Sequence, residues 1–240
     1  MRTVIAAVLV PVVIVFLIGP YTLLPSLIEY AVARDVQSRL GTEKQPEVRL
    51  RSDPPLAMLR GEFSGGRIAL RNADLGGVRA EQASIDLDPF DINVWATMKN
   101  GRVIDKEPLS GDLQVEVSED EVARLAQKGS NVPVTGVDVE KKGVTIKSEA
   151  SALGTRFPVS VEGDLALHDG DLVFEPLGLE AAGVPVPDEL ADRLLARADF
   201  EYPLDRLPYH TRITGVETES GRIVLDGRVP NIPLGAYPGG

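Results

Sequence analysis

Ala83-Ser84-Ile85-Asp86-Leu87-Asp88 decides how this chain is read. Apolar and polar residues trade places at every step. A strand sends successive side chains to opposite faces, so one face of the segment is dry and the other wet. The same period of two returns in Glu47-Val48-Arg49-Leu50-Arg51, Arg67-Ile68-Ala69-Leu70-Arg71, Leu113-Gln114-Val115-Glu116-Val117, Val137-Asp138-Val139-Glu140, Val144-Thr145-Ile146-Lys147 and Val159-Ser160-Val161-Glu162. Alternating strands joined by short turns, with few helical stretches between them, predict an antiparallel sheet in an α+β architecture.

Further strands follow the same logic. Val94-Trp95-Ala96 and Arg102-Val103-Ile104 read as strands around Asn100-Gly101, a dipeptide suited to a tight hairpin. Leu165-Ala166-Leu167 and Leu172-Val173-Phe174 flank a second turn at His168-Asp169-Gly170-Asp171, and Gly143, Gly154, Gly163 and Gly170 read as breaks between strands. Arg222 to Val229 is the closing strand.

Helical spacing is confined to a few places. After Ser26, the apolar residues Leu27, Ile28, Ala31, Val32, Val36 and Leu40 recur at three and four, and Gly41 ends the run. Pro54-Pro55 breaks the first strand, and Leu56-Ala57-Met58-Leu59 makes a short apolar turn or helix. Ser118 and Glu121 form a capping box ahead of Val122, Leu125 and Ala126. Residues 187 to 197 read as a third helix, with acids in the first turn and Arg197 in the last. Residues 47 to 128 and 137 to 197 repeat a pattern of strands then helix without repeating residues, so no duplication is inferred.

The N-terminus differs in kind. No charged residue stands between Thr3 and Ile28, and Val4 to Ile18 is almost purely aliphatic, approaching the roughly 20 residues that span hydrocarbon. The run leads into Gly19-Pro20-Tyr21-Thr22-Leu23-Leu24-Pro25 without a small-x-small site, which favours a retained anchor over a cleaved signal. Arg2 before it places the N-terminus in the cytoplasm and everything after Pro25 outside. The expected organisation is a membrane anchor or signal at 1–25, a single domain at 26–232, and an unstructured tail at 233–240.

Composition limits the function. Of 240 residues, 43% are hydrophobic and 25% charged, enough to build a sizeable core. The net charge of -11 would repel phosphate backbones, so nucleic acid is excluded as a partner. Lys141-Lys142 is too small a basic cluster to hold an anionic membrane by charge, so lipid contact must be apolar. The absence of cysteine removes disulfides, thiolate nucleophiles and a lipidated cysteine.

Candidates for chemistry are few. His168 and His210 have no metal-ligand spacing and read as surface residues. Asp86, Asp88 and Asp91 invite comparison with a calcium site or a carboxylate pair, but alternation with Ile85 and Leu87 is what a solvated strand face produces. Glu119, Asp120 and Glu121 are explained by capping and the helix dipole. Ser64-Gly65-Gly66 and Leu75-Gly76-Gly77 lack the lysine of a phosphate loop and read as turns, and no nucleophile elbow is present. No enzyme, metal or cofactor is expected.

Pro55-Leu56-Ala57-Met58-Leu59-Arg60-Gly61-Glu62-Phe63, followed by Arg67-Ile68-Ala69-Leu70 and by the ending Leu204 to Val216, resembles the LmeA-like family of envelope phospholipid-binding proteins over nearly the whole chain. The resemblance implies a tubular lipid-binding fold, in which a strongly curved antiparallel sheet wraps a long helix, here preceded by one transmembrane helix. It implies phospholipid binding outside the cytoplasmic membrane and support of envelope lipid or lipoglycan maintenance. Aromatics are only 5%, so inward positions are lined by aliphatic residues that suit acyl chains. The lipid-contacting candidates are Leu56, Met58, Leu59, Phe63, Ile68, Leu70, Ile85, Leu87, Trp95 and Val115, each of which ordinary core packing would also explain. Trp95 suits either the core or a channel rim facing headgroups. The alternative is a non-catalytic interaction module that steadies a membrane enzyme of envelope biogenesis, with an envelope glycosyltransferase as its partner.

Overall fold

The computed structural model describes residues 26, 28–30, 32–34, 36–37, 44–100, 103–129, 133–152, 155–186 and 200–232. The expected anchor at 1–25, the tail at 233–240 and the helix at 187–197 lie outside the described residues. The described part is mostly β. Among the described residues no helix is long and apolar enough to cross a membrane, and the long helix implied by the resemblance is not shown. The longest helix with both ends described has 11 residues.

Helix α1 comprises the described residues within 26–37, and its spacing behaves as the sequence requires: Ile28, Val32, Ala33 and Val36 are buried while Tyr30 faces out. The strands are β1 (Glu47–Arg51), β2 (Glu62–Phe63), β3 (Gly65–Leu75), β4 (Val78–Leu87), β5 (Phe90–Asp91), β6 (Leu109–Ser118), β7 (Val134–Glu140) and β8 (Gly143–Ala152). They continue as β9 (Thr155–His168), β10 (Asp171–Ala181), β11 (Val184–Pro185), β12 (Phe200–Tyr202), β13 (Arg212–Glu219) and β14 (Arg222–Ile232). Helices α2 (Val94–Asn100) and α3 (Glu119–Gly129) interrupt them.

One sheet has the order β1-β3-β4-β6-β14-β13, a second has β11-β10-β9-β8-β7 with β12 on β10, and β2 pairs with β5. The chain divides into two compact units: Met1–Leu70, Ser84–Gly111 and Pro230–Gly240 form the first, and Arg71–Ala83 with Asp112–Val229 form the second.

In the first unit, alternation sets the register. Val48 lies opposite Ile68, and both are buried. Gly66 lies opposite Leu50, and a β-carbon there would stand 2.7 Å from the Arg49 carbonyl oxygen and 2.9 Å from the Leu50 side chain. Ser64-Gly65-Gly66, expected as a turn, therefore leads into β3, and its glycines serve close strand packing. The Glu29 carboxylate of α1 accepts the Leu50 N–H at 2.9 Å, which fixes the helix to β1.

In the second unit, β9 and β10 form a hairpin whose two-residue loop, Asp169-Gly170, has φ values of 54° and 96°, both positive as a twist-matched turn demands. The expected break at Gly163 does not occur: β9 runs unbroken for 14 residues. Glycine is there for a steric reason, since a β-carbon would overlap the Glu175 carbonyl oxygen and lie 2.6 and 2.8 Å from atoms of the buried Phe174 ring. Bulges occur in β7 between Val134 and Gly136, in β10 between Pro176 and Gly178, and in β13 between Ile213 and Gly215, where they bend the strands and sharpen their twist. Helix α3 buries Val122, Leu125 and Ala126 and packs on β7 and β12.

Candidate lipid-contacting site

The ten sequence candidates separate by burial. Phe63, Ile68, Leu70, Ile85 and Leu87 are buried at inward positions of β2, β3 and β4 in the first unit. Val115 is equally buried, on β6, and belongs to the second unit. Met58 is half-buried. Leu56, Leu59 and Trp95 face solvent, at 55%, 42% and 77% exposure. Among the described residues the fully buried charged side chain is Glu121, in the second unit; in the first unit the half-buried Asp105 also has one carboxylate oxygen out of solvent.

The exposed trio is held by a compact local frame. Pro55–Arg60 forms a 3-10 turn, with Ala57 buried beneath it and the Ala57 N–H donating to the Pro54 carbonyl at 2.9 Å. Gly61 closes the turn at φ 82°, its N–H reaching the Met58 carbonyl at 2.9 Å. A side chain could not stand at Gly61: a β-carbon would overlap the Ile92 carbonyl oxygen and lie 3.0 Å from the Val94 side chain. The Ile92 N–H donates back to the Gly61 carbonyl at 2.8 Å, and next to it Phe63 pairs with Phe90, their rings stacked at 4.9 Å. The turn carrying Leu56 and Leu59 is thereby fastened to the start of α2, one residue before Trp95.

Val94-Trp95-Ala96, expected as a strand, is the first turn of α2, and Val103 and Ile104 are not in a strand either. Asn93 is the reason. Its side-chain oxygen accepts the Ala96 N–H at 2.9 Å and its carbonyl accepts the Thr97 N–H at 2.8 Å, as an N-cap does. The Thr97 hydroxyl then accepts the Ile104 N–H at 3.0 Å, so the segment folds back on the helix. Asn93 was the readable signal for this.

Outward strand positions carry paired charges. Arg67 holds Asp86 bidentately at 2.8 and 2.6 Å, and that hydrogen bond, with the charge of Arg67, keeps the Asp86 carboxyl below its ordinary range against a smaller opposing effect of burial. Arg60 grips Glu62 at 3.0 and 2.9 Å, and Lys106 stands 3.6 Å from Asp91. A cleft of about 390 Å³ opens beside Phe63, Phe90, Lys106 and Ser110, with a mixed polar and apolar lining. Among the described residues no group of three or more His, Cys, Asp or Glu is placed to hold a metal.

The second unit has a cleft of about 560 Å³, lined among others by Asp74, Arg79, Asp120, Glu121 and Arg124. Glu121 accepts the Arg79 N–H at 2.8 Å and Arg124 Nε at 2.6 Å, while Arg124 also donates to the Gly77 carbonyl at 2.6 Å. Burial pushes the Glu121 carboxyl up, but the hydrogen bonds from Arg124 and the Arg79 amide, with the charges of both arginines, outweigh it and hold it below the usual range. The carboxylate assigned to a capping box thus ties α3 to the β3–β4 turn. His168 pairs with Glu175 at 2.9 Å on the surface.

A family model described as LmeA-like phospholipid-binding matches residues 20–228 of the chain. No curated protein and no solved structure matches it.

Proposed function

Because this chain belongs to the LmeA-like phospholipid-binding family, we propose that it binds phospholipid by apolar contact with acyl chains and has no catalytic step of its own. The observation that carries this is the first unit's set of buried strand positions, Phe63, Ile68, Leu70, Ile85 and Leu87, all of them apolar. Aliphatic and aromatic walls accept hydrocarbon, whereas a headgroup taken inside would lose hydration without a partner, so the headgroup stays in water. The wall belongs to a curved sheet of tubular type, and residues 1–25 anchor the chain in the cytoplasmic membrane with the remainder on the extracytoplasmic side. Tethering raises the local concentration of lipid, so modest intrinsic affinity is enough for envelope lipid or lipoglycan maintenance.

The test is lipid analysis of the full chain, purified and exchanged into a lipid-free detergent. Phospholipid retained in stoichiometric amount is the expected result. A folded chain holding no more than an unrelated single-pass protein treated identically would refute the proposal. Esterase and phosphatase assays on the same sample should read blank.

A second reading, a module that steadies an envelope glycosyltransferase, draws on Leu177 and Val184 of the second unit, exposed at 70% and 64%. It calls for a protein partner that stays bound after lipid is stripped and is released by L177S/V184S.

A further inference from the structure

We propose that Leu56, Leu59 and Trp95 form a docking surface that seats the first unit on a lipid bilayer, separately from the N-terminal anchor. The inference rests on the phospholipid-binding reading and adds where the lipid surface is met. These three are among the six large apolar residues exposed in the described chain, and they come from two segments bound together through Gly61 and Ile92. The frame beneath them is closely knit for so small a region, with a buried Ala57, a glycine that admits no side chain, stacked rings and a capped helix. Rigid presentation of exposed apolar side chains is costly to maintain in water unless something covers them.

Charge selects the cover. The described residues of 53–62 and 90–106 carry four acids (Asp53, Glu62, Asp91 and Asp105) and three bases (Arg60, Lys99 and Lys106), so this region is close to neutral while the whole chain carries -11. An anionic lipid surface repels the acidic remainder, a zwitterionic one neither repels nor attracts it, and both accept this nearly uncharged patch. Tryptophan is the side chain best suited to the headgroup level, where its ring is buried and its N–H remains hydrated. Apolar insertion of a neutral patch is also insensitive to salt, unlike attraction through basic residues.

Trp95 is the single tryptophan of the chain, so its fluorescence reports on this surface alone. The experiment uses the full chain with phosphatidylcholine vesicles. It measures the emission maximum, protection from acrylamide, and quenching by phospholipids brominated on the acyl chain, at low and high salt. The expected result is a blue-shifted, protected Trp95, quenched by the brominated lipid at either salt level. About half of each leucine remains to be covered, so L56S/L59S should lower the docked-to-free ratio about fivefold per residue, or about 25-fold together. Both positions are exposed, so circular dichroism and the melting curve of the variant should match the parent.

Three results overturn the proposal: Trp95 as open to acrylamide with vesicles as without, which is what a surface reserved for a protein partner would give; L56S/L59S docking as well as the parent; or the same blue shift in lipid-loaded chain without vesicles. Lipid retention measured on the same samples separates the two readings. Retained phospholipid with an accessible Trp95 refutes the docking surface alone, and a docked Trp95 on a chain that retains no lipid refutes the binding reading alone.

Discussion

Replacing Gly163 with alanine tests whether this glycine is a packing requirement. Residue 163 sits inside β9 opposite Pro176, where any β-carbon would overlap the Glu175 carbonyl oxygen and approach two Phe174 ring atoms to 2.6 and 2.8 Å. Contacts that close are not tolerated, so either the β10 backbone must retreat or the ring must turn. Phe174 is 1% exposed, so a turned ring would press on packed neighbours. Inserting a carbon into a filled core costs about 1–3 kcal/mol, and the upper end applies because one of the obstacles is backbone. For a chain of this size about 2–3 kcal/mol lowers the melting temperature by roughly 5–10 °C. Urea unfolding followed by circular dichroism measures it. F174L by itself costs about 1 kcal/mol or somewhat more by removing ring atoms from the core. If the ring is part of the obstacle, G163A/F174L is less destabilised than the sum of the single variants, by about 1 kcal/mol. G163A with a parental melting curve, or strict additivity in the cycle, would refute the steric account.

Glu121 to glutamine removes a charge-assisted tie to Arg124 and should cost about 2 kcal/mol, read from the urea midpoint. Because the folded-state carboxyl is held below its ordinary value of 4.5, its contribution is present at neutral pH and drains away as pH falls through and below that value. The parent should therefore lose its advantage over E121Q on acidification, and a gap that stays constant from neutral to acid pH would count against the tie. Asn93 to alanine removes the α2 cap and should cost about 1 kcal/mol, with amide exchange accelerated at Ala96 and Thr97 and unchanged in β9. Protease added to intact spheroplasts should cut a C-terminal tag from the full chain, and protection of that tag would reverse the proposed orientation.

What could be read from the sequence was governed by how local the determining physics is. Alternation named most of the strands, because a half-buried strand must show its two faces in its own residues; β1, β3, β4 and β6 follow it directly. Asp169-Gly170 announced its hairpin because positive φ is a property of the turn residues themselves. The errors lie where a distant segment decides. Gly163 was read as a break since the Phe174 ring that requires it is on another strand. Val94-Trp95-Ala96 has strand-forming residues, but the Asn93 cap and the fold-back through Thr97 and Ile104 impose a helix. Strands β12 and β13 escaped notice because the three residues of β12 are too few to show a period and burial along residues 212–219 is intermittent. For the candidate site, the apolar identity of Leu56, Ile68 and Trp95 was legible, but which of them faces in or out was not. That depends on Gly61 meeting Ile92, a backbone approach with no local signature.

The ends of the two large sheets carry a consequence for how copies of this protein behave when crowded together. A terminal strand offers a row of free amide and carbonyl groups on which a second chain can crystallise. Here β1 turns Glu47, Arg49 and Arg51 outward and hands its Leu50 amide to Glu29, while β13 and β7 are kinked out of line at Ile213/Gly215 and Val134/Gly136, and β11 is two residues long. A molecule built so largely from ribbons thus denies its neighbours a template, and the first route to fibrils would be opened by R49V/R51V.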